Sequence, residues 1–222
     1  MKFWGGCWGR AAAALTPLLL LLLLPPAAAA PLPADSSGEA ELEEAPARRA
    51  ALPDCEALAW LLHSRAARLQ EEMCEKFTVC ENSMEMLVQN NLNLPKVTEE
   101  DGCLLSGFDE EKCLRKISSG LFAFQTYLEY VQETFTSERQ KVESLCYSTK
   151  HLATTLRQMV INPDDVIIPD SATQKSLLVK LKSDKTWIEK ITTHLILRDF
   201  TSFMEKTVRA VRYLKNTRSF SV

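Results

Sequence analysis

An all-α fold, a long-chain up-up-down-down four-helix bundle with two long crossover loops, is predicted by three features of this 222-residue sequence. Apolar residues recur at spacings of three and four along four long stretches, the mark of amphipathic helices. Only 7 glycines are present, too few for a many-turned β-sandwich or barrel. The segments between the four stretches run long, short, long, as two crossovers flanking one tight connection require.

The chain opens outside that fold. Lys2 and Arg10 give a mildly positive start, "AAAALTPLLLLLLL" (11–24) is apolar over a signal-peptide length, and "PPAAAA" (25–30) supplies small residues at cleavage spacing. The run is short for a bilayer span and a Pro-rich polar segment follows it, so residues 1–29 read as a secretory signal. Losing Lys2 and Arg10 leaves 24 basic residues against 29 acidic, about −5. Neither that charge nor the −3 of the whole chain supplies a basic face for nucleic acid. Residues 30–52 are Pro-rich, acidic and without aromatics, and are expected to form a disordered leader. The helical domain is expected over 53–222, soluble and extracellular, with no membrane insertion once the signal is cut.

In the first helix Cys55, Leu58, Leu62, Ala66, Leu69 and Met73 form one stripe, opened by Pro53-Asp54 as a start signal. An irregular stretch follows, with a short helix expected in "ENSMEMLVQ" (81–89). Asp109-Glu110-Glu111 places acid at the start of the second helix, against its dipole. Its seam is Leu114, Ile117, Leu121, Phe124, Leu128, Val131 and Phe135. Ser137 with Gln140 reads as a capping box, and Val142, Leu145, Thr149, Leu152, Leu156 and Met159 carry the third helix. Pro163 and Pro169 break the chain, Ser171 with Gln174 opens a short helix, and the last long helix spans Thr186 to about Asn216. A helix of ~25 residues is roughly 37 Å long, so a return along it takes at least ~11 extended residues. Both long linkers exceed that. The few residues around Thr136 do not, so the second and third helices are antiparallel neighbours.

The cysteines follow from the compartment. "MCEKFTVC" (73–80) holds Cys74 and Cys80, and "CLLSGFDEEKC" holds Cys103 and Cys113. Paired cysteines in an oxidising compartment are usually disulfides, whereas zinc modules prefer gaps of two to four residues. Six residues of helix advance roughly 9 Å, beyond the ~7 Å reach of a disulfide, so a helix has to end between Cys74 and Cys80. Cys7 leaves with the signal. Cys55 and Cys146 remain, either paired or free.

Catalytic chemistry is not expected. His63, His151 and His194 are scattered, and the sequence has no HExxH, GxSxG, P-loop or GxGxxG. No cofactor and no metal are expected. On the last helix Ile196, Phe200, Phe203, Met204, Val211 and Leu214 fall on one arc, the core side. Arg198, Thr201, Ser202, Glu205, Arg209 and Arg212 fall opposite. A charged stripe is ordinarily a solvated face, but three arginines against one acid, at the chain's end, match interface composition. Trp60 and Trp187 lie off their helices' core arcs, either packed under loops or exposed as contact residues.

"CENSMEMLVQNNLNLPKVTEEDGC", "SGFDEEKCL", "YSTK" and "TTHLILRDF…RAVRYL" resemble the interleukin-6 family, and the remainder looks like an avian member of it. The resemblance runs from about Cys74 to the C-terminus. It implies a secreted cytokine of immune and acute-phase responses that engages two receptor chains through three faces and triggers intracellular kinase (JAK-STAT) signalling. The face for the specific α-receptor falls on Leu104, Phe108, Glu205, Val208, Arg209 and Arg212. A second face, for the shared signal-transducing receptor, maps onto Trp60, Leu61, Ser148 and His151. A third, for another copy of that receptor, maps onto Leu87, Asn90 and Trp187. The free protein is expected to be a monomer that joins a higher-order complex with the receptor ectodomains. Two rivals stand beside this reading: a granulocyte colony-stimulating factor relative, which "NNLNLPK" opposes, and a secreted bundle carrying a lipid or other hydrophobic ligand, which the narrow seams oppose.

Overall fold

Residues 40–80 and 92–219 are described by a computed structural model; the expected signal, residues 30–39 of the leader and the short helix over 81–89 lie outside them. The described residues form five α-helices: α1 (Ala40–Phe77), α2 (Glu110–Thr134), α3 (Arg139–Met159), the short α4 (Ser171–Leu181) and α5 (Thr186–Ser219). No strand occurs among them. None of the described helices is long and apolar enough to cross a membrane.

Side-chain pairs fix the directions. Lys141 at the start of α3 reaches Glu72 near the end of α1 at 2.8 Å, and Arg65 donates to Ser144 at 3.0 Å, so α3 runs against α1. Glu56 of α1 pairs with Arg212 and Lys215 near the end of α5, so α5 also runs against α1. Thr134, ending α2, meets Thr193 near the start of α5 at 2.8 Å, while Glu110, starting α2, pairs with Arg218. Hence α1 and α2 point one way, α3 and α5 the other. That is the up-up-down-down order.

Every residue of the expected α2, α3 and α5 seams is buried, and of the α1 stripe only Leu58 is partly open. The centre is aromatic: Phe124 of α2 lies edge-on to Phe200 at 5.0 Å and Phe203 at 5.2 Å. Gly120 makes this approach possible, because a Cβ there would stand 2.5 Å from Cζ of Phe203.

Three local expectations need correction. The leader does not extend to residue 52, because α1 starts at Ala40. "AELEEAPARRAAL" is rich in strong helix formers, and elongating a docked helix is far easier than nucleating one. Docking already includes Leu52, 1% exposed, so Pro53 sits inside the helix and its missing N–H costs one hydrogen bond without ending it. The Ser137–Gln140 box does not form: residues Thr136–Glu138 make a 3-10 turn, and the Ser137 hydroxyl accepts from Lys76 at 3.1 Å. At α4 the cap is Asp170, one residue before Ser171, accepting from the Thr173 amide at 2.7 Å. Asp109 caps α2 as acid at that position should, accepting from the Lys112 amide at 3.0 Å.

Both crossovers are tied to the bundle. Leu94 and Val97 are buried, the Asn93 carbonyl accepts from the Tyr127 hydroxyl at 2.9 Å, and the Val97 carbonyl accepts from Lys206 at 2.7 Å. In the second crossover the Glu111 carboxylate accepts from the Ile161 amide at 2.9 Å, and Val166 is buried.

Candidate functional site

The two disulfides shape the loops that flank α5. Cys74 and Cys80 are bonded with their α-carbons 5.3 Å apart, and α1 ends between them at Phe77. Thr78 reverses the chain with φ +51°, a conformation rare for a β-branched residue. Cys103 and Cys113 are bonded with α-carbons 4.9 Å apart. Their loop is entered through Gly102 at φ +71°, where a Cβ would stand 2.8 Å from Cβ of Asp109, so only glycine fits. Cys55 is buried and Cys146 half-buried, and both are free. Burial first, then Asp54, pushes the Cys55 thiol up to about 11. Burial first, then Glu129, pushes that of Cys146 up to about 12. Both are protonated and unreactive at neutral pH.

The second disulfide loop reaches the end of α5 through one aromatic contact. Phe108, half-buried, sets its ring 4.7 Å from that of Tyr213, four residues beyond Arg209. Leu104 is 45% exposed, and Glu205, Arg209 and Arg212 are exposed, while Val208 packs partly against the core. The loop and the α5 residues expected on one face are therefore joined. The arginines are not bare: Arg209 pairs with Glu205 one turn back, and Arg212 donates to Glu56 at 2.7 Å. Hydrogen bonds from Lys215 and then Arg212 hold the Glu56 carboxyl below its usual range.

Trp60 is 53% exposed, and it shares a cleft of ≈ 200 Å³ with His63, Val208, Arg209 and Arg212. The expected first and second faces thus meet at one groove between α1 and α5. The rest of the second face lies along α1 and α3. Leu61 and His151 are exposed and Ser148 is half-buried. The register set by the Glu72–Lys141 and Arg65–Ser144 pairs, continued along the helices, brings Leu61 level with Ser148. Of the third face, Leu87 and Asn90 lie outside the described residues. Trp187 is 42% exposed, at the mouth of a groove of ≈ 1080 Å³ lined by Leu92, Tyr127, Leu177, Leu181 and Ile188.

Several residues escaped the sequence reading. His63 lines the α1–α5 groove beside Trp60, and Glu56 ties α1 to α5 through Arg212 and Lys215, more than a hundred residues away, a pairing of which a single sequence carries no mark. Tyr147, 77% exposed beside Ser148, was detectable, since it falls between the α3 seam residues Leu145 and Thr149. On α5, Arg198 is half-buried and bonds Asp199 at 3.0 Å, so the cationic stripe open to solvent starts later than phase alone indicates.

The sequence matches the Interleukin-6/G-CSF/MGF family over residues 31–214. It is 80% identical over 193 residues to interleukin-6 of Gallus gallus, covering 86% of this chain and 80% of that protein. It is 44% identical over 155 residues to interleukin-6 of Saimiri sciureus, covering 70% and 73%. Against interleukin-6 of Sus scrofa it is 45% identical over 150 residues, covering 68% and 71%. In three dimensions it resembles a chain of a solved cytokine/receptor complex, with a TM-score of 0.64 at 20% identity, over 72% of this chain and 96% of that one. That likeness concerns the fold.

Proposed function

This chain belongs to the Interleukin-6/G-CSF/MGF family, and we propose that it is a secreted cytokine that works by bridging receptor ectodomains. Membership makes it a signalling protein rather than an enzyme. The α-receptor docks on the end of α5 and the loop after Cys103, through Leu104, Phe108, Glu205, Val208, Arg209 and Arg212. The shared signal-transducing receptor then docks on Trp60, Leu61, Ser148 and His151. A second copy of it is engaged through Leu87, Asn90 and Trp187, and the assembled receptors start JAK-STAT signalling. The free protein is a monomer, released after removal of residues 1–29.

One observation carries this reading: the Phe108–Tyr213 contact at 4.7 Å brings an exposed, leucine-tipped loop to the helix end that bears Arg209 and Arg212. Aromatic anchors beside planar guanidinium groups are the composition of interface hot spots. Mechanically, nothing but binding is required. Because the groove at Trp60 borders Arg209 and Arg212, a receptor seated on the arginines becomes part of the surface the next receptor meets. Arg209→Glu is expected to abolish binding of the α-receptor ectodomain in a solution binding assay, with helicity by circular dichroism unchanged. Full-affinity binding by a folded Arg209→Glu protein would remove the first face from this assignment.

A further inference from the structure

We propose that the turn ending α1 conceals a metal site that opens on reduction: the thiolates of Cys74 and Cys80, with the imidazole of His194, then seat one Zn²⁺ with its fourth position left to solvent. The three donors come from two elements far apart in sequence and lie within 4.8 Å of one another. Nδ1 of His194 is 3.7 Å from Sγ of Cys74 and 3.6 Å from Sγ of Cys80, and Nε2 is 3.8 Å from the latter. Zinc binds thiolate at about 2.3 Å and imidazole at about 2.0–2.1 Å, so tetrahedral angles set nitrogen and sulfur about 3.6 Å apart. Both nitrogen–sulfur edges already have that length. Only the sulfur–sulfur edge has to lengthen, from a bond to about 3.8 Å by the same geometry, and breaking the disulfide permits it.

The surroundings divide the work between a fixed half and a yielding half. His194 is 3% exposed on α5, within a buried run from Ile191 to Leu197, and cannot swing into solvent. Cys74 is held in the last turn of α1, whereas Cys80 is exposed and follows the reversal at Thr78. The sulfur that has to move is therefore on irregular backbone, and it faces the solvent from which an ion arrives. A dithiol reductant supplies the two electrons: its own thiols become a disulfide, Cys74 and Cys80 each take a proton, and Zn²⁺ releases those two protons on binding. The ion then replaces the covalent bond in closing the turn after α1, and through His194 it adds a link from that turn to α5.

The test uses the full secreted chain, oxidised and dithiol-reduced, dialysed against Zn²⁺ and assayed for bound metal, with Co²⁺ as a spectroscopic substitute. One equivalent of tightly held Zn²⁺ in the reduced protein and none in the oxidised protein is expected, with the cobalt form showing thiolate charge transfer and tetrahedral ligand-field bands. His194→Gln is expected to weaken Zn²⁺ at least tenfold while helicity is retained. Should that variant not fold, Cys80→Ser, altered at the surface, reads the same site and is expected to lose the cobalt spectrum. Cys103→Ser with Cys113→Ser is expected to leave it in place. Absence of metal uptake after reduction overturns the proposal. So does uptake that survives both His194→Gln and Cys80→Ser, which would place the ion on the other thiols.

Discussion

From Ile191 to Leu197 in the first half of α5 every residue is buried, including Thr192, Thr193 and His194. In the second half burial returns to a three-four rhythm, with Phe203, Met204, Val211 and Leu214 inside and Glu205, Arg209 and Arg212 open. The same helix is thus wrapped at one end and one-sided at the other. The Cys74–Cys80 turn contacts the first half at His194, and Phe77 lies under Lys190, whose ammonium is 4.4 Å from its ring. At the other end the contacts on the outward side include Glu56 from α1, the edge contact of Phe108, the Val97 carbonyl, which accepts from Lys206, and Glu110 of α2, which pairs with Arg218. Wrapping makes the first half structural, and its absence leaves the second half available to a partner.

Substitutions on the two halves should therefore separate stability from binding. The largest expected effect is on the wrapped half. Phe200 is fully buried against Phe124, and Phe200→Ala should cost about 3–5 kcal/mol in urea unfolding. Arg209→Glu, on the open half, should stay within about 0.5 kcal/mol of the parent. Equal losses from the two would erase the distinction. Next in size is Gly120→Ala on α2. Its new Cβ would collide with the Phe203 ring, and overpacking of about 1–3 kcal/mol should exceed the roughly 1 kcal/mol that alanine gains in helix propensity. A stabilised Gly120→Ala protein would mean that the Phe203 ring has room to retreat.

The open half is also where the sequence was easiest to read. Phase alone separates Val211 and Leu214 from Arg209 and Arg212, because a helix with one wet side writes its orientation into its composition. It fails at His194, where a second covering layer buries a residue that a two-sided pattern assigns to solvent. Polar residues survive there by finding partners, as Thr193 does with Thr134. Helix ends were legible where side-chain chemistry decides them, as at Asp109. They were illegible where a docked helix extends upstream of an apparent start signal, as at Pro53. The seams and the order of helices followed from spacing and linker length, but the groove that joins Trp60 to Arg209 did not, since it depends on which outward edges of α1 and α5 face one another.

Smaller effects sharpen the contrast. Thr193→Val removes the 2.8 Å hydroxyl contact with Thr134, whose own hydroxyl retains the Tyr130 carbonyl at 2.9 Å. The expected cost is about 0.5–1.5 kcal/mol, independent of salt. A charged cross-link on the open half should behave differently, and Glu56 provides it. Glu56→Gln weakens the pairs with Arg212 and Lys215 that tie α1 to α5, for about 0.2–1 kcal/mol at neutral pH and less in high salt. The pH dependence has a defined sign. Lys215 and then Arg212 lower the folded-state pKa of Glu56 from its ordinary value of 4.5. Its contribution is therefore present in full above that value and disappears as pH falls through the lowered one. The gap between the parent and Glu56→Gln unfolding midpoints should accordingly close in acid, while the Thr193→Val gap stays open. A Glu56→Gln gap that persists in both acid and high salt would mean that Glu56 acts by packing, and that the open half is held to α1 by more than charge.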